Sequence, residues 1–412
     1  MNYKRKLRST AIEDDHTRHR VLYIVGNLAK FDVTPIHIFQ RLQSLQDTLN
    51  SPKVIALLEW SAVNSTENKA EVRSKFSGIG ALVRFLPRIP LLSAFVIAGD
   101  VMLGNYDIVH AVGYNAMLNG IVVKLITRRK LIFESHGVVP EEMVLRGIWK
   151  TKGARYKVAK VLERIFVRYC DHMIVVSNRY RDLVENLYKK DAISVAGCAV
   201  ATSPAVLMDM RTSARANLGV GSELVIAFSG SFFAEWGDPR EYIDLFKAIK
   251  GLGFHPIFLV LTQSPVPKVQ EFLDRNSIEK KEYRVLNLSH EAVPKILAAA
   301  DVGLLLRKDS IVNRVASPMK FPEYLLSGVS VIASEDIGDI SDLIRMHRLG
   351  FIYSKDDARI TARLEAWLKS IQSEEGNSLR VRCSEFAENY LSYRAQKELY
   401  CSVYTSLSRN HD

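Results

Sequence analysis

Residues Arg307–Ser334 read RKDSIVNRVASPMKFPEYLLSGVSVIAS. The stretch follows Val302–Leu306 (VGLLL), an unbroken apolar run that suits a strand buried on both faces of a parallel sheet. Arg307 and Lys308 then stand at the carboxyl end of a parallel strand, where open α/β sheets bind ligands. Lys320 and Glu323 lie three apart, so on a helix they share one face. Gly328 ends that helix, Val329–Ala333 forms the next strand, and Pro322 leaves the helix start open. A cation and a carboxylate presented together suit a nucleoside diphosphate: the cation neutralises phosphate and the carboxylate accepts hydrogen bonds from ribose hydroxyls. On spacing alone, an ordinary i,i+3 salt bridge at a helix start is the commoner explanation.

The same rhythm runs outward through the chain. Val21–Val25, Ile108–Val112, Leu131–Phe133 with its flanks, and Met173–Val176 read as buried strands in the first half. Val225–Phe228, Ile257–Leu261, Val285–Leu288, Val302–Leu306 and Val331–Ala333 do so in the second. Helical patterns lie between them. Tyr180, Leu183, Val184 and Leu187 follow i, i+3, i+4, i+7 with Ser177 as N-cap, and Glu241–Lys250 and Glu291–Ala300 read as helices. Strands alternating with helices predict an α/β architecture with parallel sheets. Ala196–Met210 is rich in small residues, has little periodicity, and reads as a linker. Tyr393, Tyr400 and Tyr404 recur at helical spacing near the end and are expected in a core.

Length and composition agree. A chain of 412 residues, 48% hydrophobic and 25% charged, suits two globular domains. Met1–Arg20 is charged throughout with no apolar signal region, and the most apolar run, Ile89–Gly99, is cut by Asp100 before it spans a bilayer. Cys170, Cys198, Cys383 and Cys401 are scattered with no metal-like or CxxC spacing, which predicts free thiols and a cytoplasmic setting. The net charge is +11. Arg128–Lys130, and Lys150, Lys152, Arg155, Lys157, Lys160, Arg164 and Arg168, gather much of it. For any one residue a solvated helix face suffices, but the cluster favours an anionic surface. No aromatic-interleaved nucleic-acid signature accompanies it, so a membrane surface is expected rather than nucleic acid. After the first strand, Gly26-Asn27-Leu28-Ala29 is not GxGxxG, which argues against a nicotinamide dinucleotide. There is also no Walker A loop, HExxH or GxSxG.

Ser317–Ser334 resembles the donor-site segment of GT-B glycosyltransferases close to family 4, in the form P-x-K-x-x-E-Y-L-x-x-G-x-x-V-I. The resemblance extends over most of the chain. Glu134–Glu142 (ESHGVVPEE) is similar to the family's HG-x-x-P-E-E loop, and Asp171–Ser177 (DHMIVVS) to its D-x-x-x-x-V-S strand. Phe228–Gly237 (FSGSFFAEWG) stands where the second domain's first strand and Gly-rich turn belong, and His290–Leu306 resembles the helix and strand that follow.

The resemblance implies a GT-B fold: two Rossmann-like, doubly wound α/β domains facing each other across a cleft. The expected layout is a polar tail (1–19), an acceptor domain (20–204), a nucleotide-sugar domain (205–384) and a C-terminal helix (385–412) packing back toward the first domain. It implies that Glu323 binds the ribose hydroxyls, that Lys320 and Arg307 contact the diphosphate, and that Gly230 and Ser231 bring backbone amides to it. His136 would hydrogen-bond the donor sugar, and Glu141 and Glu142 would orient the acceptor or the loop. His136, Lys320 and Glu323 are thus the catalytic candidates. Two departures stand out. Ser231 and Trp236 replace an Arg and a Lys common in the family, so Arg307, Lys320 and Arg314 would have to meet the diphosphate charge. Val315 stands where the first acid of E-x7-E belongs.

The expected activity is transfer of a sugar from a nucleotide-diphosphate sugar to a glycan or lipid-linked acceptor, with retention by resemblance, in bacterial surface polysaccharide synthesis at the inner face of the membrane. No DxD motif is present, so neither a metal nor a further cofactor is expected. A GT-B nucleotide-sugar epimerase and a non-catalytic subunit of a polysaccharide assembly complex are the competing readings.

Overall fold

In the computed structural model, residues 19–26, 33–58, 80–87, 90–201, 207–354 and 357–408 are described, with a few more between 73 and 78. The predicted tail up to residue 18, residues 27–29 of the first turn, and the predicted domain boundary at 204 and 205 lie outside the described residues.

Seven strands form the first sheet: β1 (Val21–Gly26), β2 (Lys53–Leu58), β3 (Leu82–Pro87), β4 (Ile108–Val112), β5 (Lys130–Ser135), β6 (His172–Val175) and β7 (Ile193–Val195). Their order is β3-β2-β1-β4-β5-β6-β7. Six more form the second: β8 (Leu224–Ser229), β9 (Pro256–Leu261), β10 (Tyr283–Leu286), β11 (Val302–Leu305), β12 (Ser330–Ser334) and β13 (Gly350–Tyr353), ordered β10-β9-β8-β11-β12-β13. Pairing is parallel, with Ile226 opposite Val302 and Gly303 opposite Val331. The central strands β1, β8, β9 and β11 are buried almost throughout, as their continuous apolar sequences require.

Most sequence-predicted strands stand within a residue or two. β2, β3, β7 and β13 add to them. β3 alternates exposed and half-buried residues at a sheet edge, so it lacks the continuous apolar run of a central strand. The helix expected over Glu291–Ala300 is only Val293–Leu297, with Pro294 in its first turn. The linker reading of Ala196–Met210 is too long, because Leu207 already begins a helix to Leu218. The C-terminal segment is not one helix. It breaks between Glu374–Tyr390 and Tyr393–Ser408, where Ser392 bridges Val200.

By compactness the chain divides into Met1–Ile132 with Tyr400–Asp412, and Phe133–Leu399. In the first unit, Tyr23 of β1 stacks on His110 of β4 at 4.8 Å between ring centroids. The Tyr404 hydroxyl meets Tyr23 Oη at 2.5 Å and His110 Nδ1 at 3.0 Å, which ties the last helix to both strands. In the second unit the six-stranded sheet carries cores on both faces: Phe321, Tyr324 and Leu325 belong to one, Phe228, Phe232, Tyr242 and Phe258 to the other. The strand order reverses between β8 and β11, so their carboxyl ends lie side by side, where a ligand site of an open α/β sheet is expected.

Candidate active site

Lys320 opens the helix Lys320–Leu326, with Pro322 in a first turn whose amides have no helical partner to lose. Tyr324 seats this helix. Its hydroxyl accepts from the Ser229 amide at 2.8 Å and donates to the Leu304 carbonyl at 3.3 Å, joining β8 to β11. The ring lies flat against β11 because residue 303 is glycine: a Cβ there would fall 2.6 Å from the ring carbons. Phe321 and Tyr324 fill one face of the sheet, yet Lys320 Nζ sits 3.7 Å from the centroid of Phe228, which belongs to the other. Lys320 thus reaches over the strand ends.

Arg307 directly follows the apolar run of β11. Its amide donates to Ser334 Oγ at 2.8 Å, and that hydroxyl returns a bond to the Arg307 carbonyl, locking the ends of β11 and β12 together. Its guanidinium donates to Asn313 Oδ1 at 2.9 Å and lies 5.9 Å from the centroid of the Trp236 ring. Neither Arg307 nor Lys320 forms an ion pair among the described residues.

Burial governs the electrostatics. It drives Lys320 well below its ordinary 10.5, and the charge of Arg307 pushes the same way. It lowers Arg307 to about 10. It raises Glu323 to about 7, against a weaker opposing pull from Lys320. His290 Nδ1 lies 3.9 Å from Glu323 Oε1. Two desolvated cations beside a desolvated carboxyl are poised to gain from an arriving anion, because a low-dielectric setting strengthens every new ionic contact.

Gly230, at the carboxyl end of β8, does not offer its amide to a ligand as expected. That N–H donates to the Leu261 carbonyl at 2.8 Å. Its role here is steric: φ is +110°, and a Cβ would press on Lys320 Cε at 3.0 Å. Ser231 is exposed beside it. Arg314 forks onto Asp309 with both contacts at 2.7 Å and is half exposed, so its charge is already matched. Val315 is buried.

In the Glu134–Glu142 loop, half-exposed His136 donates from Nε2 to buried Glu134 Oε1 at 2.7 Å. The two adjacent acids part company. Burial raises Glu142; Arg146, at 3.8 Å, opposes that, and the charge of Arg307 does so more weakly. Glu141 instead accepts from Tyr156 Oη at 3.0 Å and pairs with Lys160 at 3.1 Å. Among the sequence candidates, Gly230, Arg307, Lys320, Glu323 and Glu142 therefore gather, and Glu141 and Arg314 turn elsewhere.

Sequence reasoning missed Asn313, which is buried and holds Arg307 through Oδ1 while Nδ2 donates to the Trp236 and Lys308 carbonyls. Its signal was faint: Ser310, three residues earlier, N-caps the short helix Ile311–Arg314 by accepting from the Asn313 amide. Phe228 and His290 were missed as well, since only the fold brings them to Lys320 and Glu323.

Residues 59–203 match the model for Glycosyltransferase Family 4. Among curated protein sequences none matches the chain. The solved structure of a glycosyltransferase from Rickettsia africae is similar over 96% of this chain and 100% of that one, at 15% identity and a TM-score of 0.71. HepE from Anabaena, solved with UDP and glucose, is similar over 94% and 100%, at 16% identity and a TM-score of 0.67. Sucrose-phosphate synthase from Thermosynechococcus elongatus is similar over 95% and 100%, at 13% identity and a TM-score of 0.66. At such identities the likeness establishes the fold. Residues 59–203 thus resemble family 4 glycosyltransferases, and the chain, with its two parallel-sheet α/β parts, has the GT-B fold of these solved structures.

Proposed function

We propose that the protein transfers a sugar from a nucleotide-diphosphate sugar to a glycan or lipid-linked acceptor. One observation carries the reading: Arg307 and Lys320 are partly withdrawn from solvent at the carboxyl ends of β8 and β11, and among the described residues no carboxylate lies within ion-pair distance of either. Cations drawn partly out of water gain from a counter-charge, and a diphosphate supplies one. Glu323 would take the ribose hydroxyls and His136 the donor sugar. As the anomeric C–O bond breaks, negative charge gathers on the leaving diphosphate, where Arg307 and Lys320 stabilise it. We propose that these cations serve without a metal ion, in keeping with the lack of a DxD motif. HepE was solved with UDP and glucose, which makes UDP-sugars the first donors to try.

We further propose retention of configuration and a role in bacterial surface polysaccharide synthesis at an anionic membrane. The helix Ala154–Tyr169 supports the membrane reading. It exposes Arg155, Lys157, Arg164 and Arg168 together with Val158 and Val161, a cationic face with apolar residues among its charges. Each such cation contributes roughly 1 kcal/mol at an anionic surface. Lys160 is not part of that face, because it turns inward to Glu141 and Glu163. Among the described residues no helix is long and apolar enough to cross a membrane.

The test is a thermal-shift screen of the full chain against UDP-, GDP- and CMP-sugars, with Glu323→Ala alongside. A rise in Tm for one nucleotide-diphosphate sugar, lost in the variant, supports the reading. No shift with any of them at millimolar concentration overturns it.

A further inference from the structure

Lys320 is half-buried, and among the described residues no carboxylate lies within ion-pair distance of it. What its ammonium meets is a ring: Nζ lies over the face of Phe228, 3.7 Å from the centroid. An aromatic face carries partial negative charge and attracts an ammonium at that range. The contact is built from both sides. Phe228 is buried in β8, with the Phe232 ring T-shaped to it at 5.3 Å and the Tyr242 ring tilted against it at 4.8 Å. Tyr324, on the helix that Lys320 opens, accepts from the Ser229 amide, so that helix is fixed to β8 one residue beyond Phe228. Gly230 leaves the lysine stem its path, because a Cβ there would fall 3.0 Å from Lys320 Cε.

The chemical type of the partner has a consequence. A carboxylate in the place of Phe228 would hold Lys320 but would cancel its charge and compete with an arriving anion. A ring attracts the ammonium and adds no net charge. Arg307 is held in the same manner, by the neutral Asn313 Oδ1 at 2.9 Å and beside the Trp236 ring. We infer that Phe228 is a positioning residue for Lys320: its ring face holds the ammonium over the strand ends without neutralising it, and so presents it to an incoming diphosphate. The ring contact itself needs no ligand, and its consequence for binding rests on the nucleotide-sugar reading above.

Fluorine on the ring tests this, because it withdraws electron density from the ring face and leaves the shape nearly unchanged. Phe228 is replaced site-specifically in the full chain by 4-fluoro-, 3,5-difluoro- and 3,4,5-trifluorophenylalanine, with Phe228→Leu alongside. Lysine labelled with carbon-13 at Cε reports Lys320 by nuclear magnetic resonance, the signal being assigned by its absence in Lys320→Arg. The Hε protons of Lys320 are expected upfield of those of other lysines, since the ammonium lies over a ring. They should stay upfield in the fluorinated proteins and return to the ordinary position in Phe228→Leu. The midpoint of their titration is expected to fall with each added fluorine. Burial and the charge of Arg307 disfavour the ammonium form and Glu323 favours it, but all three are common to the series. Above the midpoint UDP must bind with charging of the lysine, so the trifluoro protein is expected to bind UDP about fivefold more weakly than the unaltered one. Below it, where the ring stabilises the ammonium in free and bound protein alike, affinity is expected to be unchanged.

The inference is overturned by Hε protons at the ordinary position, by a midpoint indifferent to fluorine, or by a UDP affinity above the midpoint that does not follow the series. Failure of UDP to bind the unaltered protein counts against the donor reading, and the Lys320 resonance then decides the role of Phe228 by itself.

Discussion

The ring of Tyr324 lies on the backbone of Gly303 so closely that a single added methyl at 303 would fall 2.6 Å from its carbons. This contact sets the height of the helix that carries Lys320 and Glu323 above the sheet. Gly303→Ala is therefore expected to push Tyr324 off β11, weaken its bonds to Ser229 and Leu304, and displace both site residues. Overpacking of this kind costs about 1–3 kcal/mol. Denaturant unfolding should show that loss, and nucleotide-sugar affinity should fall more steeply than stability. An alanine variant with unchanged affinity would show that the helix position does not control the site.

Gly230 makes room for Lys320 and holds a φ of +110°. Gly230→Ala adds backbone strain of order 1 kcal/mol or more and crowds the lysine's ε-carbon. Nucleoside diphosphate affinity is expected to fall by about tenfold. A combined Gly230→Ala, Lys320→Ala variant should show less than the sum of the two single losses, because the crowded group is gone.

Lys320 is held well below its ordinary 10.5 by burial and by Arg307. A diphosphate beside it favours the ammonium form, so binding should draw a proton from solvent. The measurement is calorimetric titration of UDP over a series of pH values from 8 to 10 in buffers of different ionisation enthalpy, where Glu323, at about 7, is already mostly ionised. Proton uptake is expected in the unaltered protein and none in Lys320→Met. Turnover in that variant should drop by about 10²–10³-fold, as when a donor to a developing anion is removed.

Glu323 is raised from 4.5 to about 7 by burial. Its folded pKa exceeds its unfolded one, so its contribution to stability is fully present below about 4.5 and is lost as pH rises through about 7. Measured against Glu323→Gln, the unaltered protein should lose stability across that window, by roughly 3 kcal/mol at most. A pH-independent difference between the two proteins would mean that Glu323 is solvated in solution.

By itself the sequence determined the architecture. Unbroken apolar runs such as VIAF and VGLLL have only one low-energy home, a parallel sheet covered on both faces, and their alternation with helical patterns set the α/β class. It also placed Arg307 at a strand end and put Lys320 and Glu323 on one short helix, because those relations span few residues and obey fixed periods. Edge strands such as Leu82–Pro87 were illegible, since an edge carries no continuous apolar signature. Only the tertiary structure decided which charges meet. It set Lys320 over Phe228, turned Arg307 onto Asn313 and Trp236, spent the Gly230 amide on Leu261, and sent the neighbours Glu141 and Glu142 to different partners. Those outcomes depend on which side chains lose water together, and burial is a property of the packed chain rather than of spacing along it.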